Sequence, residues 1–198
     1  MGSLVSTTCF AVTVRAAIGL GPLFAVQDGV ARVAHVTLGR AVMVVGVVVL
    51  VLMAALGTRP GPGTFVLPFL QGLLLDAMLV HLPTFGGWAS RTAAVIVASW
   101  LMCLGGALVI ESDLGMSALD GVMMGLHART GRRVTTVRMT MEATMLVGGW
   151  LLGGAIGVGT VITGLLVGPS MQFWLGVLAA LRSPADVTPD TALTALDW

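Results

Sequence analysis

Residues 38–57 read LGRAVMVVGVVVLVLMAALG. Arg40 is the one charge among these positions, and it stands near the start. About 20 apolar residues in helical form cross the hydrocarbon core of a bilayer, which is roughly 30 Å thick. A surface helix of a soluble protein keeps a polar face, and this stretch has none. Similar stretches recur on both sides, at 4–20, 64–82, 89–110, 134–153 and 160–181. The fold expected is therefore an all-α, polytopic transmembrane helix bundle of about six spans. Proline and glycine punctuate it at Thr58-Arg59-Pro60-Gly61-Pro62-Gly63, at 83–87 and at 154–159.

Composition agrees with the spans. The 198 residues are 57% hydrophobic and 10% charged, with a mean hydropathy of +1.00. A soluble domain runs at roughly 45–50% apolar and about 25% charged. Ten arginines oppose nine acids, so no basic tract argues for nucleic acid. Lysine is absent, which removes the P-loop pattern and Schiff-base chemistry. Cys9 and Cys103 lie in apolar stretches and read as packing residues. The first twenty residues lack a basic leader and a small-x-small cleavage site, so no cleaved signal peptide is expected. Gly2 and Ser6 fit a myristoylation pattern, which is set aside because the apolar stretch behind it already anchors the chain.

Two segments, 22–36 and 116–130, are too long for turns and too polar for spans. Pro22 suits the first position of a helix, and Ser117-Ala118-Leu119-Asp120 has the Ser-x-x-acid spacing of a helix start. Both read as short extra helices, interfacial or re-entrant. Between them lies an internal repeat. Asp28-Gly29-Val30 followed by His35 matches Asp120-Gly121-Val122 followed by His127, at identical spacing. Leu20-Gly21 and Leu114-Gly115 precede them. Downstream, Gly57, Gly61, Gly63-Thr64, Leu70 and Gly72 match Gly153, Gly157, Gly159-Thr160, Leu166 and Gly168 at one constant offset, and Asp76 falls opposite Gln172. The expected organisation is a first repeat at 1–82, a second at 83–181, and a polar tail at 182–198. Repeats with three spans each insert in opposite orientations, the inverted arrangement common among secondary transporters. The arginine distribution favours both termini in the cytoplasm.

The second half, with Val137-Arg138, Glu142, Gly149-Trp150-Leu151-Leu152-Gly153-Gly154, Gly157-Val158-Gly159-Thr160, Gly168-Pro169 and Gln172, resembles the YczE/YitT group of bacterial membrane proteins. The first half agrees through Arg15-Ala16, Leu20-Gly21-Pro22 and Gly61-Pro62-Gly63-Thr64. The resemblance covers nearly the whole chain up to Arg182. It implies a multi-pass protein of the bacterial inner (cell) membrane, and it leaves the function open.

Ionisable groups inside spans are costly, so they pair, face the bundle interior or line a pathway. Asp76 sits inside the third span with nothing in its own helix to neutralise it, which favours a pathway role. Glu142 has Arg138 one turn earlier on the same face, so a packing ion pair competes with function. Gln71 and Gln172 suit cross-helix hydrogen bonds. Asp28 with His35, and Asp120 with His127, each share a helix face. Helix capping and headgroup contact explain these pairs more simply than a metal, which needs three or four converging ligands. No metal or cofactor is expected. Gly149, Gly153 and Gly157, and Gly164 with Gly168, are spaced four apart and are expected to let helices pack closely. The Gly63-Thr64 and Gly159-Thr160 turns resemble half a dinucleotide fingerprint without its strand, and read as span entries.

The function these readings favour is a small transporter or permease, with its site between the repeats and the short helices aiming their N-termini at the solute. Asp76 and Glu142 would be the coupling carboxylates. The alternative is a membrane accessory that stabilises or regulates a partner protein. No nucleophile–base constellation points to an enzyme. The expected partners are the lipid bilayer, an unknown small molecule or ion, and, in the accessory case, a protein.

Overall fold

A computed structural model describes residues 2–58, 61–83, 85–111 and 117–181. The tail at 182–198 and the approach to the second short helix, including Leu114-Gly115, lie outside the described residues. The elements described are helices: α1 (Gly2–Ala16), α2 (Pro22–Ala34), α3 (Leu38–Ala55), α4 (Pro62–His81), α5 (Trp88–Glu111), α6 (Ala118–Thr130), α7 (Val134–Leu151) and α8 (Val158–Leu181). Prolines open α2 and α4 behind extended Gly21 and Gly61, where a missing N–H costs nothing. Gly57 and Gly153 follow α3 and α7 at φ 87° and 74°. L side chains disfavour that left-handed backbone, so these two glycines are helix terminators.

Among the described residues, four helices are long and apolar enough to cross a membrane: α3, most of α4, the bulk of α5, and α8. The expectation of six is met there only in part. With 15 residues, α1 is about 22 Å long, short of the hydrocarbon thickness. In α7, Arg138, Glu142 and four threonines lower the hydropathy.

Side-chain contacts fix how the helices run. α1 is antiparallel to α5, with Ser6 against Gly105 and Ala16 against Val95. α1 runs parallel to α4: Phe10 packs on Leu75, and Arg15 donates through Nη2 to the Leu79 carbonyl. Arg15 thus meets the negative end of α4, which favours a cation. α5 runs parallel to α8, with the Ser99 and Thr163 hydroxyls 3.4 Å apart and Cys103 Sγ 3.7 Å from the Val167 carbonyl.

The short helices are where the fold differs from a plain bundle. Leu20 and Gly21 are buried, and the Phe24 ring stacks on Phe10 at 3.9 Å. α2 therefore begins inside the bundle and ends at its surface, where residues 32–35 are exposed. α6 does the same, with Gly121, Val122 and Met123 buried and residues 128–133 exposed. Each leans on a helix from the other end of the chain. Gly29 of α2 sits against Gly149 and Leu152 of α7, and Gly121 of α6 sits against Met53 of α3. α3 packs along α4, whereas α7 packs on α2 and α6 instead of along α8. Val44, Val48 and Val51 of α3, Phe65 and Leu73 of α4, and Val161 and Leu165 of α8 are exposed. Such an apolar outer surface suits lipid.

The glycine expectation divides. Side chains at Gly149, Gly157 and Gly159 would collide with backbone of α2 or of the 17–21 loop, so these three do permit close approach. Gly164 and Gly168 face open space, as does Gly153. Periodicity of four marked them for packing, but α8 turns Gly164 and Gly168 away from its neighbours, and Gly153 is the left-handed stop after α7.

Candidate functional site

The first turns of α2 and α6 come to one place. They open on a cavity of about 340 Å3 that is also walled by α1, α3, α4, α5 and α8. Its walls are mainly apolar, from Phe24, Val45, Leu67, Met102, Val167 and Met171. Ser3, Ser6, Gln27, Thr64, Gln71, Ser117 and Asp120 give it polar points. A small number of polar groups in an apolar cleft of this size is the usual make-up of a small-molecule site.

Gln27 is the telling side chain. It is 5% exposed, and its Oε1 is buried with no hydrogen-bond partner among the described residues. A buried acceptor left unpaired costs about 1–3 kcal/mol, so the fold carries an unmet polar group on the cavity wall. Asp120 stands in the first turn of α6. Burial pushes its carboxyl above the ordinary aspartate range, while Arg138 and a hydrogen bond with the Ser117 side chain pull the other way. Ser117 is the N-cap of α6, as the Ser-x-x-acid spacing implied, but its side chain bonds no helix backbone. Asp120 also lines a second recess of about 30 Å3 with Met123, Arg138, Met141 and Glu142. It separates the cavity from the Arg138–Glu142 pair, which is joined at 3.2 Å.

A raised carboxyl pKa favours the protonated folded state. Its stability contribution is full below the unfolded pKa and is lost as pH rises through the folded one. Thermal stability is expected to fall as pH climbs above the ordinary aspartate range, and Asp120→Asn should flatten that slope. An unchanged slope in a melting series across acidic to neutral pH would show that Asp120 is not the group responsible.

The other expected site residues lie elsewhere. Asp76 lines neither recess. Its carboxylate accepts from the Thr37 hydroxyl at 2.6 Å and the Gly39 N–H at 2.8 Å, which corrects the expectation of an unpaired carboxylate. The donors come from the N-cap and first turn of α3, so reading α4 alone missed them. Asp28 pairs with Arg32 at 2.9 Å and accepts from the Ala155 N–H at 2.8 Å, fastening α2 to the turn before α8. It does not start α2. His35 ends α2 in left-handed backbone at φ 52°, and His127 Nδ1 lies 2.6 Å from the Arg132 carbonyl. Asp28 and Asp120 do not converge with these histidines, and no group of three metal-ligating side chains occurs among the described residues. Gln172 is exposed on α8. Thr160 accepts from the Gly157 N–H at 3.2 Å and caps the entry to α8, while Thr64 is buried at the cavity. Gln27 escaped the sequence reading. Its signal was an amide one residue before Asp28 in an otherwise apolar first turn and a half.

Comparison with known proteins places this geometry in a family. Residues 1–175 match the model of a family of unknown function, DUF6198. The chain belongs to that family. Two curated relatives in the comparison are bacterial. One is an uncharacterized membrane protein, YczE, of Bacillus subtilis, 29% identical over 161 residues that span 80% of this chain and 74% of that protein. The other is an uncharacterized protein of Haemophilus influenzae, 27% identical over 168 residues, 85% of this chain and 77% of that protein. The resemblance to YczE noted from the glycine and arginine motifs is therefore real, and the chain is a multi-pass membrane protein. No solved structure matches it.

Proposed function

We propose that the protein is a small permease, with its solute site in the cavity between two inverted halves. One observation carries the reading: both short helices line a single cavity, with Gln27, whose side-chain carbonyl has no partner among the described residues, and Asp120 among its lining residues. Secondary transporters hold solutes at broken or short helices inside the bundle.

The packing pattern supports the inverted halves. Exchanging α1–α4 with α5–α8 turns the α1/α4 pair into α5/α8, α2/α7 into α6/α3, and α2/α3 into α6/α7, while α3/α4 has no matching α7/α8 packing. α1 runs antiparallel to its counterpart α5. Counting α1 and α7 as crossings gives three per half, with α2 and α6 re-entrant. The arginine bias then leaves both termini in the cytoplasm. Single cysteines at Thr130 and Gly86 should label from opposite faces with an impermeant reagent, since native Cys9 and Cys103 are buried. Labelling of both from one face would overturn the three-plus-three scheme.

The halves are not equal, which suits one site. Gly46 lines the cavity where the second half has Glu142. Ion coupling is assigned to Asp120, which faces the cavity, with Glu142 beyond it. No catalytic chemistry is assigned. The test is a ligand-stabilisation screen of the detergent-purified chain against ions and metabolites. Hits should vanish in a cavity-filling Ala118→Trp chain that still folds. A blank screen with a co-purifying protein would favour the accessory role instead.

A further inference from the structure

We propose that the cavity takes a small organic cation, a primary ammonium on an apolar body, held by the Asp120 carboxylate and the Gln27 carbonyl oxygen. This rests on the reading of the cavity as a solute site and names the class of solute.

The argument begins with charge. Among the described residues lining the cavity, Asp120 carries the one carboxyl group, and no Arg or His lines it. Asp120 forms no ion pair among the described residues. Arg138, the cation across the smaller recess, is already engaged by Glu142 at 3.2 Å. Among the described residues, the cation nearest Asp120 is thus Arg138, which lines the smaller recess, not the cavity, and is paired with Glu142. A buried charge in this condition is costly until a partner neutralises it.

Hydrogen bonding points the same way. Gln27 Oε1 is buried and lacks a donor among the described residues, so the missing partner is a group that donates. An ammonium carries three donors and one positive charge, which answers both deficits at once. An anionic solute would face the carboxylate with no basic side chain to offset it. The first turn of α6 is the end of a helix that favours negative charge, and Asp120 already occupies that position.

Size and wall chemistry set the remainder of the solute. About 340 Å3 is at the small end of the range for ligand sites, roughly 300–1,000 Å3. The walls from Phe24, Val45, Leu67, Met102 and Met171 exclude a highly hydroxylated body, which would lose water contacts without replacement. A compact alkyl or aryl group fits. Exchange with protons follows from the same geometry. The groups facing Asp120 are Ser117 on its own helix and Arg138 and Glu142 on α7, and α3 presents Met53 on this side of α6. An ammonium at Asp120 competes with a proton for the carboxylate, so affinity should drop as pH falls.

The experiment is titration calorimetry on the full chain in detergent. The probes are 2-phenylethylammonium and the butyl to decyl ammonium ions, with the matched alcohols and carboxylates as controls. At least one ammonium should bind ten-fold or more tightly than the alcohol of the same skeleton. Asp120→Asn should erase that preference. Gln27→Leu should lower ammonium affinity several-fold while raising the melting temperature of the empty protein, because it removes an unmet acceptor. The second variant keeps the test open if Asp120→Asn fails to fold. Equal binding of ammonium and alcohol overturns the proposal, as does a preference that survives Asp120→Asn, or no binding by any ammonium. Tighter binding of the carboxylates overturns the cation while leaving the solute cavity intact. Binding that persists in Ala118→Trp overturns both.

Discussion

Gly149→Leu is expected to abolish the folded protein, measured as monodisperse yield from membranes, while Gly168→Ala leaves the yield unchanged. A Cβ on Gly149 would lie 2.9 Å from the Ala25 carbonyl carbon and 3.0 Å from the Val26 nitrogen. Those are backbone atoms of α2, so no rotamer change relieves the overlap. Overpacking a close contact costs about 1–3 kcal/mol, occasionally more. Here the added isobutyl group would also wedge α2 away from α7. Two features depend on that contact: the seat of Gly29 on Gly149 and Leu152, and the Asp28 bond to the Ala155 N–H. Separation of α2 would move Gln27 as well, so partial folding should come with loss of any ligand response. Gly168 has open space at its Cβ, and alanine is the better helix former. Equal yields for the two variants would refute the close contact.

Asp76→Ala should lower the thermal stability by about 2 kcal/mol or more, and Asp76→Asn by about half as much, the range for hydrogen bonds to a charged group. The carboxylate holds the start of α3 from the neighbouring helix, taking the Gly39 N–H at 2.8 Å and the Thr37 hydroxyl at 2.6 Å. An N-terminal turn presents N–H groups with no helical acceptor, and a carboxylate there also meets the positive end of the dipole. Asparagine keeps one acceptor and turns the other into a donor, so it should fall between aspartate and alanine. A coupling carboxylate would behave differently: asparagine would preserve stability and remove the proton-linked function. Thermal melts of the three proteins in one detergent decide between the two. Undiminished stability in Asp76→Asn would end the assignment of Asp76 as a cap.

Much of the architecture was legible in one dimension because lipid imposes a one-dimensional rule. Each backbone N–H and C=O in the hydrocarbon must be satisfied within its own helix, so a crossing is written as an uninterrupted apolar run. The run at 38–57 shows this, as do the stops at Gly57 and Gly153, whose positive φ values glycine adopts without strain. The polarity of 22–36 and 116–130 and the helix starts at Pro22 and Ser117 marked the two short helices, α2 and α6. The YczE likeness rested on the same glycines.

The roles of the carboxylates depended on what comes from elsewhere in the chain. Asp76 read as unpaired because its donors sit 37 and 39 residues away at the start of α3. Asp28 read as a cap, yet its bond to Ala155 spans 127 residues. Gln27 gave no sign of importance, since an amide in a short helix acquires meaning only when burial removes its water and leaves no donor. Asp120 was one of two equivalent aspartates until packing put its helix start on a cavity and left Asp28 on a turn. A sequence specifies which groups are polar and which runs are apolar. Partnership between groups is settled by distances of 3 Å between segments far apart in the chain, and only the tertiary structure sets those distances.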